Sequence, residues 1–141
     1  MNSQPVTTNV FVYGTLKPGE SNYKFYCQGK TIAEIEAYTR GKLYHLAPGY
    51  PGMTAGNNKV KGYLLSFNSS NILNRLDWLE NYQQDRTAQL NDYYRQQVPI
   101  YSLWDEPLGV AWCYLMSLDK IKFFRGQLLT SNSWNSNLFL N

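Results

Sequence analysis

The chain has 141 residues, 43% of them hydrophobic, and carries 13 Lys and Arg against 10 Asp and Glu, a formal net charge of +3. That length fits one domain with a sizeable core. The charge excess is small and dispersed, which argues against a nucleic-acid binder, and no apolar run is long enough to span a bilayer as a helix.

Residues 1–8 are polar and expected to fray. Val10-Phe11-Val12 favours a pleated strand, and apolar residues on both alternating faces make it a central one. It runs into Tyr13-Gly14-Thr15-Leu16 and stops at the turn Pro18-Gly19. Gly14 permits a bend or a close approach, and successive amides at such a bend form a small anion nest; the plainer reading is a strand leaving for a turn. Residues 20–28 read as a helix, with Asn22 as cap, Tyr23, Tyr26 and Cys27 on one face and Gly29 at its end. Residues 31–39 alternate as a strand whose more apolar face holds Ala33, Ile35 and Ala37. A second strand over 40–46 closes at Pro48-Gly49-Tyr50-Pro51-Gly52. Gly56-Asn57-Asn58 is a predicted turn and 60–67 the next strand.

Ser69 or Ser70 caps the clearest helix, 71–82, with Ile72, Leu73, Leu76 and Leu79 at helical spacing. Leu73, Leu76 and Glu80 follow i, i+3, i+7, so a carboxylate shares the core-facing side. Carboxylates are seldom buried without a partner or a purpose. Read from the residues alone, Glu80 reaches water at the edge of the stripe, pairs with an arginine, or serves a site. Residues 83–92 form a long polar connection, read as a mobile flap. Over 93–100, Tyr93 and Arg95 share one strand face, Tyr94, Val98 and Ile100 the other, and Pro99 demands an edge or a bulge. Taken by itself, Arg95 reads as the partner of a surface carboxylate. Residues 104–109 are a turn, 110–116 an apolar strand containing Tyr114, and 118–129 an amphipathic helix. A polar tail follows from about 130, with Trp134 and Leu138-Phe139-Leu140 as its anchors. No repeat or second domain is visible, so one domain over 1–141 is expected. Cys27, Cys113 and the single His45 are too few for a Cys/His metal site. Both cysteines read as buried thiols in a reducing, cytoplasmic compartment, and no leader segment is expected.

Tyr13-Gly14-Thr15-Leu16-Lys17-Pro18-Gly19 resembles the N-terminal signature of the gamma-glutamylcyclotransferase-like (AIG2-like) family. Leu43-Tyr44 with Tyr50-Pro51, Leu76-Asp77-Trp78-Leu79-Glu80, Tyr93-Tyr94-Arg95 and the Tyr114 strand resemble its later segments in order, so the likeness covers about 10–116. Two positions depart from its pattern. Tyr63 stands where an acidic residue is common, a change expected at the pocket rim. Asn81 stands where glycine usually follows the glutamate, and asparagine tolerates the left-handed helix end.

The resemblance implies an α+β fold, a small mixed β-barrel-like sheet with a few flanking helices. It implies release of 5-oxoproline from a gamma-glutamyl amine or amino acid, chemistry of glutathione metabolism, by attack of the substrate's own α-amine. Glu80 would be the catalytic acid/base; Tyr13, Gly14, Thr15, Leu16, Tyr93 and Tyr114 would bind substrate, with Tyr94 competing with Tyr93 for its place. No metal or cofactor is implied, and the partner is a small molecule rather than nucleic acid or membrane. A related enzyme for another gamma-glutamyl amine, and a non-enzymatic binding module on the same fold, are the alternatives. The leaving group and the oligomeric state are not legible in the sequence.

Overall fold

β1 (Thr8–Val12) carries Val10, Phe11 and Val12 almost wholly out of water. It lies antiparallel to β3 (Pro51–Phe67) and parallel to β5 (Pro107–Leu115), as its two apolar faces require of a central strand. The computed structural model describes residues 7–69, 71–87 and 90–136. β4 (Tyr94–Ser102) pairs with β5 and, through Ala37 and Tyr38, with β2 (Thr31–His45). β2 pairs in turn with β3, so the order β3-β1-β5-β4-β2 closes on itself into a five-stranded mixed barrel. β6 (Gln127–Leu128) adds to the outer part of β2.

Three short helices flank this barrel: α1 (Tyr23–Tyr26), α2 (Ile72–Leu79) and α3 (Leu118–Phe123). Their buried residues Ile72, Leu76 and Ile121 join Val10, Val12, Leu65, Tyr114 and Met116 in one apolar cluster. The alternate residues Phe11, Tyr13, Leu64, Ala111, Cys113 and Leu115 form a second cluster with Met53, Ile100 and Trp134. Helices cannot fit inside five strands, so the first cluster is the outer, helix-covered face and the second fills the barrel.

The elements depart from expectation in several places. β3 runs through the turn predicted at Gly56-Asn57-Asn58, which lies at a register shift against β2, and the helix predicted over 71–82 spans Ile72–Leu79 with Asn71, not Ser69, at its N-cap. The strands predicted over 31–39 and 40–46 are one strand, kinked by a register shift between Gly41 and Lys42. Ile35 is 46% exposed, because this end of β2 runs beyond the first β4 pairing at Ala37. The helix predicted over 20–28 is a single turn, and Asn22 does not cap it: its side-chain amide donates to Thr15 Oγ1 at 2.9 Å and its backbone amide to the Thr15 carbonyl at 2.8 Å. The helix predicted over 118–129 stops at Phe123. Arg125 turns left-handed at φ 56°, and Gly126 lies where a Cβ would come within 2.6 Å of Ile121 Cγ2. The freed chain returns as β6.

The tail beyond it is fixed by Trp134, which is 1% exposed and donates its indole N–H to His45 Nδ1 at 3.0 Å. Lys17 donates to the Trp134 carbonyl, and the Lys61 amide to the Asn132 carbonyl. The fraying expected over 1–8 fails at Thr8, which is buried in β1 opposite Phe67. Residues 1–6, the alternative cap Ser70 and the anchor Leu138-Phe139-Leu140 lie outside the described residues.

Candidate active site

β1 ends at Val12, and the chain bends through Tyr13, Gly14, Thr15 and Leu16 before a turn closed by the Lys17 amide on the Gly14 carbonyl at 3.1 Å. The amides of Gly14, Thr15 and Leu16 donate to no acceptor among the described residues. Glycine is required at 14 for close approach rather than for a positive φ: a Cβ there would lie 2.5 Å from Pro51 Cγ. Pro51 is also gripped from the far side, its carbonyl accepting from the Tyr93 hydroxyl at 2.6 Å.

α2 brings Glu80 to the same place. Glu80 is its C-cap, its amide bonded to the Leu76 carbonyl at 2.9 Å, and Asn81 follows in the left-handed region at φ 53°. Asparagine holds the helix end that glycine would hold. The helix is locked to the barrel one turn earlier by Asp77. Its carboxylate accepts two bonds from Arg95, at 2.9 and 3.2 Å, and one from the Tyr114 hydroxyl at 2.6 Å. Arg95 lies over the Trp112 ring, 4.6 Å from its centroid. So Arg95 pairs with a half-buried carboxylate beside the site, not with one on the surface.

These parts enclose a cavity of about 220 Å³ lined by Tyr13, Gly14, Thr15, Leu16, Asn22, Tyr50, Pro51, Glu80, Asp92, Tyr93 and Tyr114, with apolar floor from Phe11, Val12 and Leu79. That is room for roughly seven waters, hence for a group of amino-acid size. All seven residues named from the sequence are on its wall. Tyr93, rather than Tyr94, lines it; Tyr94 packs against the barrel interior. The sequence reading missed Tyr50, Asn22 and Asp92. Tyr50-Pro51 enters the sequence reading as a turn and a matched family segment without a site role, and Asp92 only as the end of a polar connection. Tyr63, expected at the rim, is not on the wall, and its hydroxyl donates to Glu36 at 3.3 Å.

The electrostatics divide the cavity. Glu80 is half-buried on the cavity wall and accepts no hydrogen bond from a described residue. Burial, with a contribution from the Asp92 charge, pushes its carboxyl up to about 8. Tyr13 donates to the Tyr114 carbonyl at 2.5 Å, Tyr93 to Pro51 and Tyr114 to Asp77, so these three hydroxyl protons are committed to the protein. Their oxygens offer lone pairs only. Burial raises all three tyrosines, so they stay protonated. The Glu80 side therefore presents acceptors, while the bend presents free amide donors.

The flap expected over 83–92 is tied down where it is described. Buried Asn91 bonds the Gln83 amide and carbonyl, and Arg86 donates to Asn91 Oδ1 and to both the carbonyl and side chain of Asn81. Among the described residues no three His, Cys, Asp or Glu side chains group as metal ligands, and no helix is long and apolar enough to cross a membrane.

The sequence profile of the family described as gamma-glutamyl cyclotransferase, AIG2-like, matches residues 10–136. The chain belongs to that family. It is 32% identical over 108 residues to a putative gamma-glutamylcyclotransferase of Vibrio cholerae serotype O1, a match spanning 75% of this chain and 79% of that protein. It is 40% identical over 74 residues to the gamma-L-glutamyl-butirosin B gamma-glutamyl cyclotransferase of Niallia circulans; that match spans 52% of this chain and only 46% of the other. The solved structure of an AIG2-like protein from Mus musculus superposes with a TM-score of 0.65 at 19% identity, covering 91% of this chain and 88% of that one, and shows the shared fold. In gamma-glutamyl cyclotransferase terms, the matched stretch contains every wall residue of the cavity.

Proposed function

We propose that the protein is a gamma-glutamyl cyclotransferase that releases 5-oxoproline from a gamma-glutamyl amine or amino acid, with Glu80 as general acid/base. The observation that carries this reading is the half-buried Glu80 carboxyl, which accepts no hydrogen bond from a described residue and is raised to about 8, on the wall of one cavity with the Gly14–Leu16 bend. A gamma-glutamyl head brings an ammonium, a carboxylate and an amide carbonyl. The ammonium suits the Glu80 side, where Tyr13 and Tyr93 offer only lone pairs. The carboxylate or the developing oxyanion suits the amides of Gly14, Thr15 and Leu16.

Glu80, as carboxylate, takes one proton from the α-ammonium. The raised proton affinity of Glu80 lies closer to that of the amine it must deprotonate. The freed lone pair attacks the γ-carbonyl carbon, forming the ring C–N bond, and the negative charge moves to the carbonyl oxygen. Collapse breaks the bond to the leaving nitrogen, which takes the Glu80 proton. The ring nitrogen loses its second proton to water and the released amine gains one, so charge is unchanged overall. The nucleophile is part of the substrate, and holding it folded supplies rate through proximity. Neither thiol lines the cavity, and both stay protonated: burial pushes Cys27 up to about 12 and raises Cys113 as well. Two free, buried cysteines support a cytoplasmic setting.

The test is a panel of gamma-glutamyl amines and amino acids incubated with the purified protein. The expected result is 5-oxoproline and free amine in equal amounts from at least one of them. Binding without release across the panel would refute the enzyme and leave a binding module.

A further inference from the structure

The mouth of the cavity holds a second carboxylate that the mechanism above does not use. Asp92 lies on the cavity wall with 30% of its side chain exposed, whereas Tyr13 and Tyr93 deeper in are 6% and 8% exposed. One oxygen of Asp92 accepts from the Asn81 side-chain amide at 3.1 Å, and its backbone amide donates to the Asn81 carbonyl at 3.3 Å. Arg86 fixes Asn81 from behind by bonding its carbonyl and its side-chain oxygen. Asn81 therefore anchors Asp92 through both its side-chain amide and its backbone carbonyl. The other Asp92 oxygen is 3.5 Å from Lys120 Nζ. Lys120 is not on the cavity wall, and no Lys or Arg is among the residues lining it. The acidic member of the pair is the one that faces the substrate.

A gamma-glutamyl head must sit deep, with its reacting carbonyl between Glu80 and the bend, so the leaving group points to the mouth. We infer that Asp92 determines specificity there, disfavouring leaving groups that carry a carboxylate and favouring neutral or cationic amines. This inference rests on the cyclotransfer reading of the site. Like charges brought together in a partly desolvated mouth repel, and nothing on the wall compensates an incoming carboxylate.

The test compares gamma-glutamylglycine with gamma-glutamylglycinamide, which differ in the leaving group's charge and little in shape, by kcat/KM for 5-oxoproline release. The wild type should prefer the amide by about tenfold, equal to about 1.4 kcal/mol. Asp92→Asn should bring the ratio to within about threefold, and Lys120→Met, which strips Asp92 of its counter-charge, should widen it. Any effect of these variants on Glu80 is common to both substrates and cancels in the ratio. A wild-type ratio near one, or a ratio that Asp92→Asn leaves unchanged, would overturn the inference while 5-oxoproline release continued. Failure of the cyclotransfer reading would look different: the wild type would release 5-oxoproline from neither compound nor from any other gamma-glutamyl amine or amino acid of the panel.

Discussion

Glu80→Gln should make the folded protein more stable at neutral and alkaline pH. The carboxyl is held at about 8 against an ordinary 4.5, chiefly by burial. The folded state thus binds this proton more tightly than the unfolded chain does. The stability linked to it is complete below about 4.5 and is lost as pH rises through about 8. Each tenfold in proton affinity is about 1.4 kcal/mol, so full ionisation costs about 5 kcal/mol. That is a ceiling, because the carboxyl opens on a cavity that water enters. Glutamine keeps the shape and never ionises. Between pH 5 and pH 8 the stability advantage of the variant should therefore grow by up to about 3 kcal/mol. For a chain of this size that is a Tm gap widening by about 10 °C. Thermal melts of both proteins across that range measure it. A gap that stays constant with pH would show that Glu80 is an ordinary solvated carboxylate, and the reasoning from its burial would fail.

Asp92→Asn should lower the pH at which kcat/KM rises on its acid side, because removing the neighbouring charge lets Glu80 ionise sooner; a pH–rate profile that does not move would contradict the coupling. Asp77→Asn leaves the half-buried Arg95 without its counter-charge and should cost about 3 kcal/mol, read from the urea midpoint. Gly14→Ala drives a Cβ into the Pro51 ring and should lower both stability, by about 1–3 kcal/mol, and affinity for a gamma-glutamyl ligand, measured by melts and calorimetry. A folded Cys27→Ser, Cys113→Ala variant should keep its turnover, since neither thiol lines the cavity; loss of activity would point to a thiol nucleophile.

Local pattern carried much of this fold. Val10-Phe11-Val12 is apolar on both faces and is the central strand, and Leu73, Leu76 and Glu80 share the helix face that their spacing sets. Asn81 at φ 53° was legible from asparagine's tolerance of that region. What failed depended on distant contacts. Asn22 looks like a helix cap, yet its best partner is Thr15, across a loop. Ile35 belongs to the apolar set by alternation, but β4 ends at Ser102, opposite Ala37, before reaching it. Residues 118–129 read as one helix from their spacing, and the early stop is visible only in the left-handed turn at Arg125 and the close fit of Gly126 against Ile121. At the site, the sequence suggested the Gly14 bend and the Glu80 helix, while their meeting came from the family likeness. Tyr50 lies in a segment that resembles the family and Asp92 in none, but the place of both at the site is recognised only because the closed barrel brings them to one cavity.

The central claim is that Glu80 moves the proton that lets the substrate close on itself. It is tested most directly by measuring 5-oxoproline release and ligand binding for wild type and Glu80→Gln side by side, on whichever gamma-glutamyl compound the wild type turns over fastest. The account predicts a variant that folds and binds but turns over about 10²–10⁴-fold more slowly. Near-normal release of 5-oxoproline by the folded variant would contradict it.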